Sequence, residues 1–418
     1  MNMKKLLAGV LACCVVGGVI PTVEKMTSNN VMTAGAVDDY VEGTYEQLTY
    51  NNYGDHIEIS GCDKSATEVV IPAEIEGVSV TSIGNSAFSS CKHLKSVTIP
   101  DSITNIEYYA FKGCSDLTSI EIPDSVTSIE SSAFASCINL TSIKISNSIT
   151  RIEDSVFSYC KCLTSIEIPN SVTSIGIGTF SNCESLTSIT IPDSVTSIYG
   201  SAFSYCTGLT SVEIPDSVES IEEAVFSNCI GLTSVTIPNS VKTIGISAFN
   251  GCSSLKSIEI PDSVTSISTL AFSRCTDLTS IKILNPECFI HDDKNTISNG
   301  LNDDSKHYFN GTICSYDNST AQAYAEKYNC KFESLGKAPA IEQPDVNILG
   351  DANCDGAVNI ADATAIVQHL GNQDKYGLSE HGLINADCCN VGDGVTGLDA
   401  LAIQKLEAGM IDSLPDTN

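Results

Sequence analysis

Leu186-Thr-Ser-Ile-Thr-Ile-Pro-Asp-Ser-Val-Thr-Ser-Ile198, running on through Ser201-Ala-Phe203 to Cys206, decides the fold. Ile189 and Ile191 alternate with Thr190, so an extended segment puts the isoleucines on one face and the threonine on the other. Pro192 removes a backbone donor and ends the strand. Val195 and Ile198 turn back to the same interior, and Phe203, Cys206 and Leu209 close the coil. Phe stands at 88, 111, 134, 157, 180, 203, 226, 249 and 272, always 23 residues apart. Cys follows each Phe by three residues, from Cys91 to Cys275, and Leu follows each Cys by three, from Leu94 to Leu278. A fixed period over nine units is the signature of a solenoid. One unit cannot bury its apolar side chains alone, but stacked units share a continuous core. At about 4.8 Å per coil, the array is a rod of roughly 45 Å.

The rest of the chain is read against this array. Its 418 residues carry a formal net charge of −30, which argues against a nucleic acid or an anionic membrane as partner. There is no Trp and aromatics make up 6%, which weakens the case for a stacking platform for sugars or bases. Hydrophobic residues at 42% exclude a mostly disordered chain. Lys4 and Lys5 precede an apolar run, Leu6–Ile20, that is short of the roughly 20 residues a membrane span takes. Residues 1–36 are therefore expected to be a signal peptide, with Ala34-Gly35-Ala36 as the cleavage site. Cys13, after Val10-Leu11-Ala12, offers a lipoprotein site as the alternative, although the apolar run continues past it. No second hydrophobic span follows, so the expectation is a secreted protein with no membrane span.

The unit L-x-S-[IV]-x-I-P-x-x-[VI]-x-x-I-x-x-x-x-F-x-x-C resembles the BspA-type leucine-rich repeats of secreted bacterial proteins, over about Val69 to Leu284. The resemblance implies a leucine-rich-repeat solenoid with a parallel sheet on one face, and a binding or adhesion role. Two units depart from it: Ser146 takes the place of Pro in one and Leu284 in the last.

The cysteine column admits two readings. Secreted proteins use disulfides, but one Cys sits at the same place in every coil between inward-facing Phe and Leu. Free Cys packs as a small hydrophobe, and the sequence favours a stack of buried thiols. An anaerobic or reducing habitat reconciles free thiols with export. The outward positions of the strand are Ser in all nine units, followed two residues on by Thr98, Glu121, Lys144, Glu167, Thr190, Glu213, Thr236, Glu259 and Lys282. Such a polar face of mixed charge is either simply solvated or a broad interface for a protein or a glycan.

The array spans 81–284. Residues 37–80 form an N-terminal cap, with a short hairpin around His56-Ile57-Glu58-Ile59. Residues 285–335 form a C-terminal cap, in which Ser319 begins a helix to Tyr328, Lys331-Phe332-Glu333 is extended, and Cys314 and Cys330 are able to pair. Residues 336–346 are a linker.

Asp351-Ala-Asn353-Cys-Asp355-Gly356-Ala357-Val-Asn359-Ile-Ala-Asp362 is a calcium loop of the D-x-N-x-D-G type. Ca²⁺ takes six to eight oxygens. Asp351, Asn353 and Asp355 offer side-chain oxygens, Ala357 its carbonyl, Asn359 an oxygen directly or through water, and Asp362 the last carboxylate. A helix over Ala363–Leu370 follows. A second copy lies 37 residues on, aligning Asp399 with Asp362. Its loop, Asp387 to Asp399, is one residue longer, with Asp387, Asn390, Asp393 and Asp399 as the ligands; the alternative is a loop that keeps its shape without metal.

Two such loops without proper entering helices resemble the type I dockerin module, over 347–418. The resemblance implies a small all-α module with two EF-hand-like loops, folded by two Ca²⁺ and docking onto a cohesin domain of a cellulosomal scaffold. It implies further that Ile360, Ala361, Val367, Gln368, Gly397 and Leu398 face the cohesin. Many dockerins carry Ser-Thr just before the final loop Asp. Ile360-Ala361 and Gly397-Leu398 point instead to another cohesin class and a more apolar contact.

The six His are dispersed and pair with no nucleophile or metal spacing, so a non-catalytic protein is expected. The reading is a secreted subunit of a cellulosome on the surface of an anaerobic bacterium, whose solenoid presents a protein-interaction surface. The alternative is a module that targets the complex to plant cell-wall polysaccharide.

Overall fold

Ser-Ile-Glu and Ser-Ile-Lys are three-residue strands whose middle side chain is buried and whose flanks are exposed. In the computed structural model they stack in parallel one full period apart: Ser119–Glu121 on Ser142–Lys144, Ser211–Glu213 on Ser234–Thr236, Ser257–Ile260 on Ser280–Ile283. The structure describes residues 40–300 and 309–339 and, nearer the C-terminus, 352, 358, 360–371, 400 and 403–404. The expected signal peptide, most of the expected linker and most of both expected calcium loops lie outside the described residues. Among the described residues the architecture is a β-solenoid of about 12 turns, with two helices. Where Glu167 meets Thr190 the ladder thins to a single bridge.

A second parallel ladder runs beside the expected one. It is built from the Ser-Ile pairs after the proline corner, such as Asn105–Ile106 on Ser128–Ile129 and Ser174–Ile175 on Ser197–Ile198. Threonines just before it, including Thr104, Thr173 and Thr265, donate their hydroxyls to the carbonyl of the coil below. β-branched residues suit both ladders because their stiff side chains pack on the neighbouring pleat.

The turn that closes each coil forms a third ladder. In one coil the N–H groups of Ser201, Phe203 and Tyr205 donate to the carbonyls of Glu223, Val225 and Ser227 in the next, at 2.8–2.9 Å. The alternate N–H groups of Ala202, Ser204 and Cys206 fold back onto Tyr199, Ser201 and Phe203. Aiming every second N–H at the next coil needs a left-handed residue on each side of Phe, two positions away. Such residues occur in all nine coils, from Ser86 and Ser90 to Leu270 and Arg274, and only Gly113, Gly178 and Gly251 among them are glycine. Each of the others holds its conformation at a cost of about 1 kcal/mol or more, outweighed by the hydrogen bonds that the turn makes to the next coil.

The nine phenylalanines are fully buried. Their rings stack face to face along the axis, with centroids 4.8–5.9 Å apart and planes within 17°. The column cysteines are free and buried. They also do more than fill space. From Cys114 to Cys275 each thiol donates to the Phe carbonyl 26 residues earlier, at 3.1–3.3 Å. That carbonyl already accepts the N–H of the Cys in its own coil, so the thiol serves its second lone pair in the dry interior.

The exceptional units are explained by their hydrogen bonds. Ser146 is buried and donates to Val126 O at 2.6 Å. Leu284 supplies an N–H that proline lacks and gives it to Ile260 O at 2.9 Å.

Both ends of the stack are covered. Strand β1 (Val41–Tyr45) pairs antiparallel with β2 (Leu48–Asn52), which pairs with β3 (Ile57–Cys62). β3 then lies parallel to residues 78–83, so stacking begins within the N-terminal segment. At the other end Thr312–Ser315 and Lys331–Ser334 extend the first ladder. Helix α1 (Thr320–Tyr328) starts at Ser319, whose hydroxyl accepts the Gln322 N–H, and ends at left-handed Asn329. The Tyr324 hydroxyl donates to Asp293 O at 2.8 Å and fastens α1. Cys314 and Cys330 are both free thiols. Helix α2 (Ile360–Gly371) lies beyond them.

Phe180→Ala opens a void in the middle of the ring stack and is expected to cost about 3–5 kcal/mol, read as a lowered thermal midpoint. Ala224→Gly relieves a left-handed residue at φ 55° and is expected to raise the midpoint, by about 0.5–1 kcal/mol after the entropy cost of glycine.

Candidate functional site

The sheet face is a column of short polar side chains set by the strand period. Its charges pair with each other along the stack: Lys144 with Glu121, and Lys282 with Glu259 at 3.0 Å. These pairs span successive coils and leave a face that is polar but electrically quiet along much of its length. Glu167 and Glu213 have no ion pair among the described residues.

The opposite arc of the coil is different. Tyr108, Tyr109, Tyr159 and Tyr205 stand on the turn between the second ladder and Cys, and Tyr199 stands just before it. All are well exposed, Tyr159 and Tyr205 the most at 49% and 47%. Lys112 lies 4.7 Å over the Tyr109 ring and Arg151 5.5 Å from that of Tyr199. Ile177 and Ile246, three residues before their Phe, are exposed on the same arc. A carboxylate column, Glu107, Glu130 and Glu153, runs alongside. Burial, with Glu58 and Glu130 nearby, pushes Glu107 above the ordinary carboxylate range. Arg151 closes on Glu153 at 3.0 Å. Column-by-column reading of the repeat misses most of this surface, because only Tyr159 and Tyr205 share a column, while 108, 109 and 199 fall at three other places of the unit. The signal was their number within a turn where other units carry Ser, Asn or Gly.

Burial pushes the column thiols from Cys114 onward up, to about 12 for Cys160, Cys229 and Cys275. They hold no charge at neutral pH and offer no nucleophile. Among the described residues no group of three or more His, Cys, Asp or Glu is arranged to hold a metal ion. No helix among them is long and apolar enough to cross a membrane.

Of the expected calcium ligands, Asp351, Asn353, Asp355, Ala357, Asn359, Asp387, Asn390, Asp393 and Asp399 lie outside the described residues, as do Gly397 and Leu398. Asp362 is described: it is fully buried in the first turn of α2. A carboxylate there faces the positive end of the helix. Ile366, four residues on, is buried with it, as are Ala400 and Ile403 of the second copy. Ile360 begins α2. Ala361, Val367 and Gln368 are exposed on α2 together with Thr364, one face of the helix. The oxygen-only donor set of the first loop, ending in a buried carboxylate, suits a hard cation.

Comparison with known proteins matches this architecture to a repeat family. The BspA type leucine rich repeat region model matches residues 81–210 and 173–298. The chain belongs to this family, whose solenoids are typically non-catalytic interaction domains. A stretch near the C-terminus is 43% identical over 76 residues to a xylanase/beta-glucanase of Ruminococcus flavefaciens. That match takes in 16% of this chain and 10% of the relative's length. A leucine-rich repeat protein of T. pallidum is similar at 27% identity, over 51% of this chain and 91% of its own, with a TM-score of 0.38. A chain of the complex between the third ScaB cohesin of R. flavefaciens and a group 1 dockerin is 40% identical over 17% of this chain and all of its own, with a TM-score of 0.16.

The buried thiols set an alkaline limit. Thiols of the unfolded chain ionise near 9, while Cys160, Cys229 and Cys275 keep their protons to about 12. Between these values the unfolded chain binds fewer protons, so stability, intact below pH 9, is lost as pH rises toward 12. Each such thiol contributes about 1.4 kcal/mol per pH unit. The thermal midpoint is expected to be nearly flat below pH 9 and to fall steeply above it, less steeply in Cys160→Ala.

Proposed function

We propose that this is a secreted, non-catalytic component of a cellulosome, held there by a C-terminal dockerin that binds a scaffold cohesin through calcium, while the solenoid presents an interaction surface. The observation that carries the reading is the duplicated oxygen-rich loop. Asp351, Asn353, Asp355, Ala357, Asn359 and Asp362 form the first, and Asp387, Asn390, Asp393 and Asp399 the second, 37 residues on. The 43% identity to a relative of which this chain spans only a tenth supports a shared module rather than a shared enzyme. Calcium, bound by these oxygens, draws each loop around one cation and so sets the helix that follows it. Asp362 holds the end of the first loop to the start of α2. The exposed face of Ala361, Thr364, Val367 and Gln368 is then free to meet the cohesin. The N-terminal signal segment directs the chain out of the cell, and an anaerobic exterior keeps the column thiols reduced.

For the solenoid, protein interaction is the first reading, in keeping with its family. One observation favours the second, a cell-wall polysaccharide as ligand. The exposed tyrosines of the turn arc, Tyr159 and Tyr205 above all, are the flat apolar faces on which sugar rings stack.

Binding of the full chain to a scaffold cohesin by calorimetry is expected with calcium, to vanish with EDTA, and to weaken at least roughly tenfold in Asp355→Ala. Binding that ignores both EDTA and the substitution refutes calcium-dependent docking. Pull-down on insoluble cellulose, xylan and pectin separates the two solenoid readings. Retention lost in Tyr159→Ala/Tyr205→Ala supports the polysaccharide, and no retention on any of the three rejects it.

A further inference from the structure

The turn arc holds one column in which two kinds of large side chain alternate. Two residues after each Phe, consecutive coils carry Tyr159, Asn182, Tyr205 and Asn228, and small Ser136 and Gly251 bound the run. All four residues are left-handed, at φ 59–62°, so their side chains leave the backbone in the same direction. Each N–H is fixed to a carbonyl of the next coil at 2.6–2.8 Å, which makes the column a rigid platform. The two rings are exposed. The two amides are set alike, each Nδ2 donating to the Ser hydroxyl just before it, Ser181 or Ser227, at 2.9 Å. Among the described residues neither Oδ1 accepts a hydrogen bond, and each Nδ2 has a second N–H to give. The column carries no charge, and beside it Lys161 and Glu184 close on each other at 2.7 Å. On a chain of net charge −30, such a track suits a neutral ligand rather than an anionic one. The Phe rings beneath it step by 5.6, 5.4 and 5.5 Å from Phe157 to Phe226, which sets the spacing of equivalent places on this arc.

We propose, resting on the polysaccharide reading of the solenoid, that this column is the track for a single β-1,4-linked glucan chain, laid along the solenoid axis with one glucose per coil. Such a glucan extends as a ribbon that advances by close to one coil step per sugar and turns each glucose over relative to the last. Its orientation repeats at every second sugar, as the column repeats at every second coil. Glucoses of one orientation lay their apolar C–H faces on the rings of Tyr159 and Tyr205. Those of the other orientation give and accept hydroxyl hydrogen bonds at the amides of Asn182 and Asn228. Glucans linked β-1,3 or α-1,4 wind into helices and do not keep this register.

The test titrates the full chain by calorimetry with cellobiose, cellohexaose and two isomers of cellohexaose, laminarihexaose and maltohexaose. Cellohexaose is expected to bind at least roughly tenfold more tightly than cellobiose, which reaches only one of the two rings, and than either isomer. Tyr159→Ser and Asn182→Ser give the column the residue that left-handed Ser136 already supplies there, so the turn keeps its fold. Tyr159→Ser is expected to weaken cellohexaose at least roughly tenfold, and Asn182→Ser about fivefold. Tyr159→Phe keeps the ring and is expected to leave binding unchanged. The track is overturned if the three hexasaccharides bind alike, if binding of cellohexaose survives both serine substitutions intact, or if cellohexaose does not bind. In each of these cases retention of the chain on insoluble polysaccharide leaves the broader polysaccharide reading standing, and its absence rejects that reading as well.

Discussion

Hydrogen bonds from each coil to the next hold this protein together. No coil has enough apolar surface to fold by itself, and each pairs only part of its backbone groups internally. Three ladders solve this at once: two of short parallel strands and one through the Phe turn. All three have the same register, because every residue meets its counterpart about 23 positions away. Any insertion within a coil would throw all three out of step. That constraint explains why the period never varies from Phe88 to Phe272. It also explains why left-handed Ser, Tyr, Ala and Leu are tolerated beside each Phe: the turn ladder cannot form without them.

The interior follows from the ladders. Stacking at a fixed pitch brings identical residues into contact, so the core is a set of columns, one of Phe rings, one of thiols and several of Ile, Val and Leu. A column of thiols is chemically quiet where each sulfur donates to a carbonyl and burial keeps its proton on. The first member of the column differs, since the Lys64 ammonium lies 3.7 Å from the Cys91 sulfur. Ends of a repeat array are the places where its translational symmetry fails, and so where its chemistry can differ. The opposite end shows this too, where Leu284 restores the N–H that proline withheld and lets the sheet run on into the cap.

The surface divides in the same way. The strand face neutralises itself through Lys–Glu pairs on successive coils. The turn face carries the variation, tyrosines and exposed isoleucines above a run of carboxylates. The turn tolerates this because these side chains point outward while its backbone makes the ladder. Recognition by the solenoid therefore has more to work with on the turn arc than on the sheet.

Much of the fold was legible in the sequence, because a solenoid writes its contacts as a period. The columns of Phe203, Cys206 and Leu209, the inward Ile189 and Ile191 and the proline corners were all readable from spacing alone. The expectation of a cation loop from Asp351 to Asp362 rests likewise on spacing, with oxygen donors at fixed intervals. What spacing does not encode is direction. The second ladder, the turn ladder with its left-handed residues, the donation of Cys206 to Phe180 O and the contact of Lys64 with Cys91 depend on which atoms face each other between coils. The gathering of Tyr108, Tyr199 and Tyr205 on one arc was hidden for a related reason: residues that occupy different places in the repeat share a surface only once the coil is bent. Periodicity in one dimension determines the columns, and only closure of the coil in three dimensions decides what stands beside them.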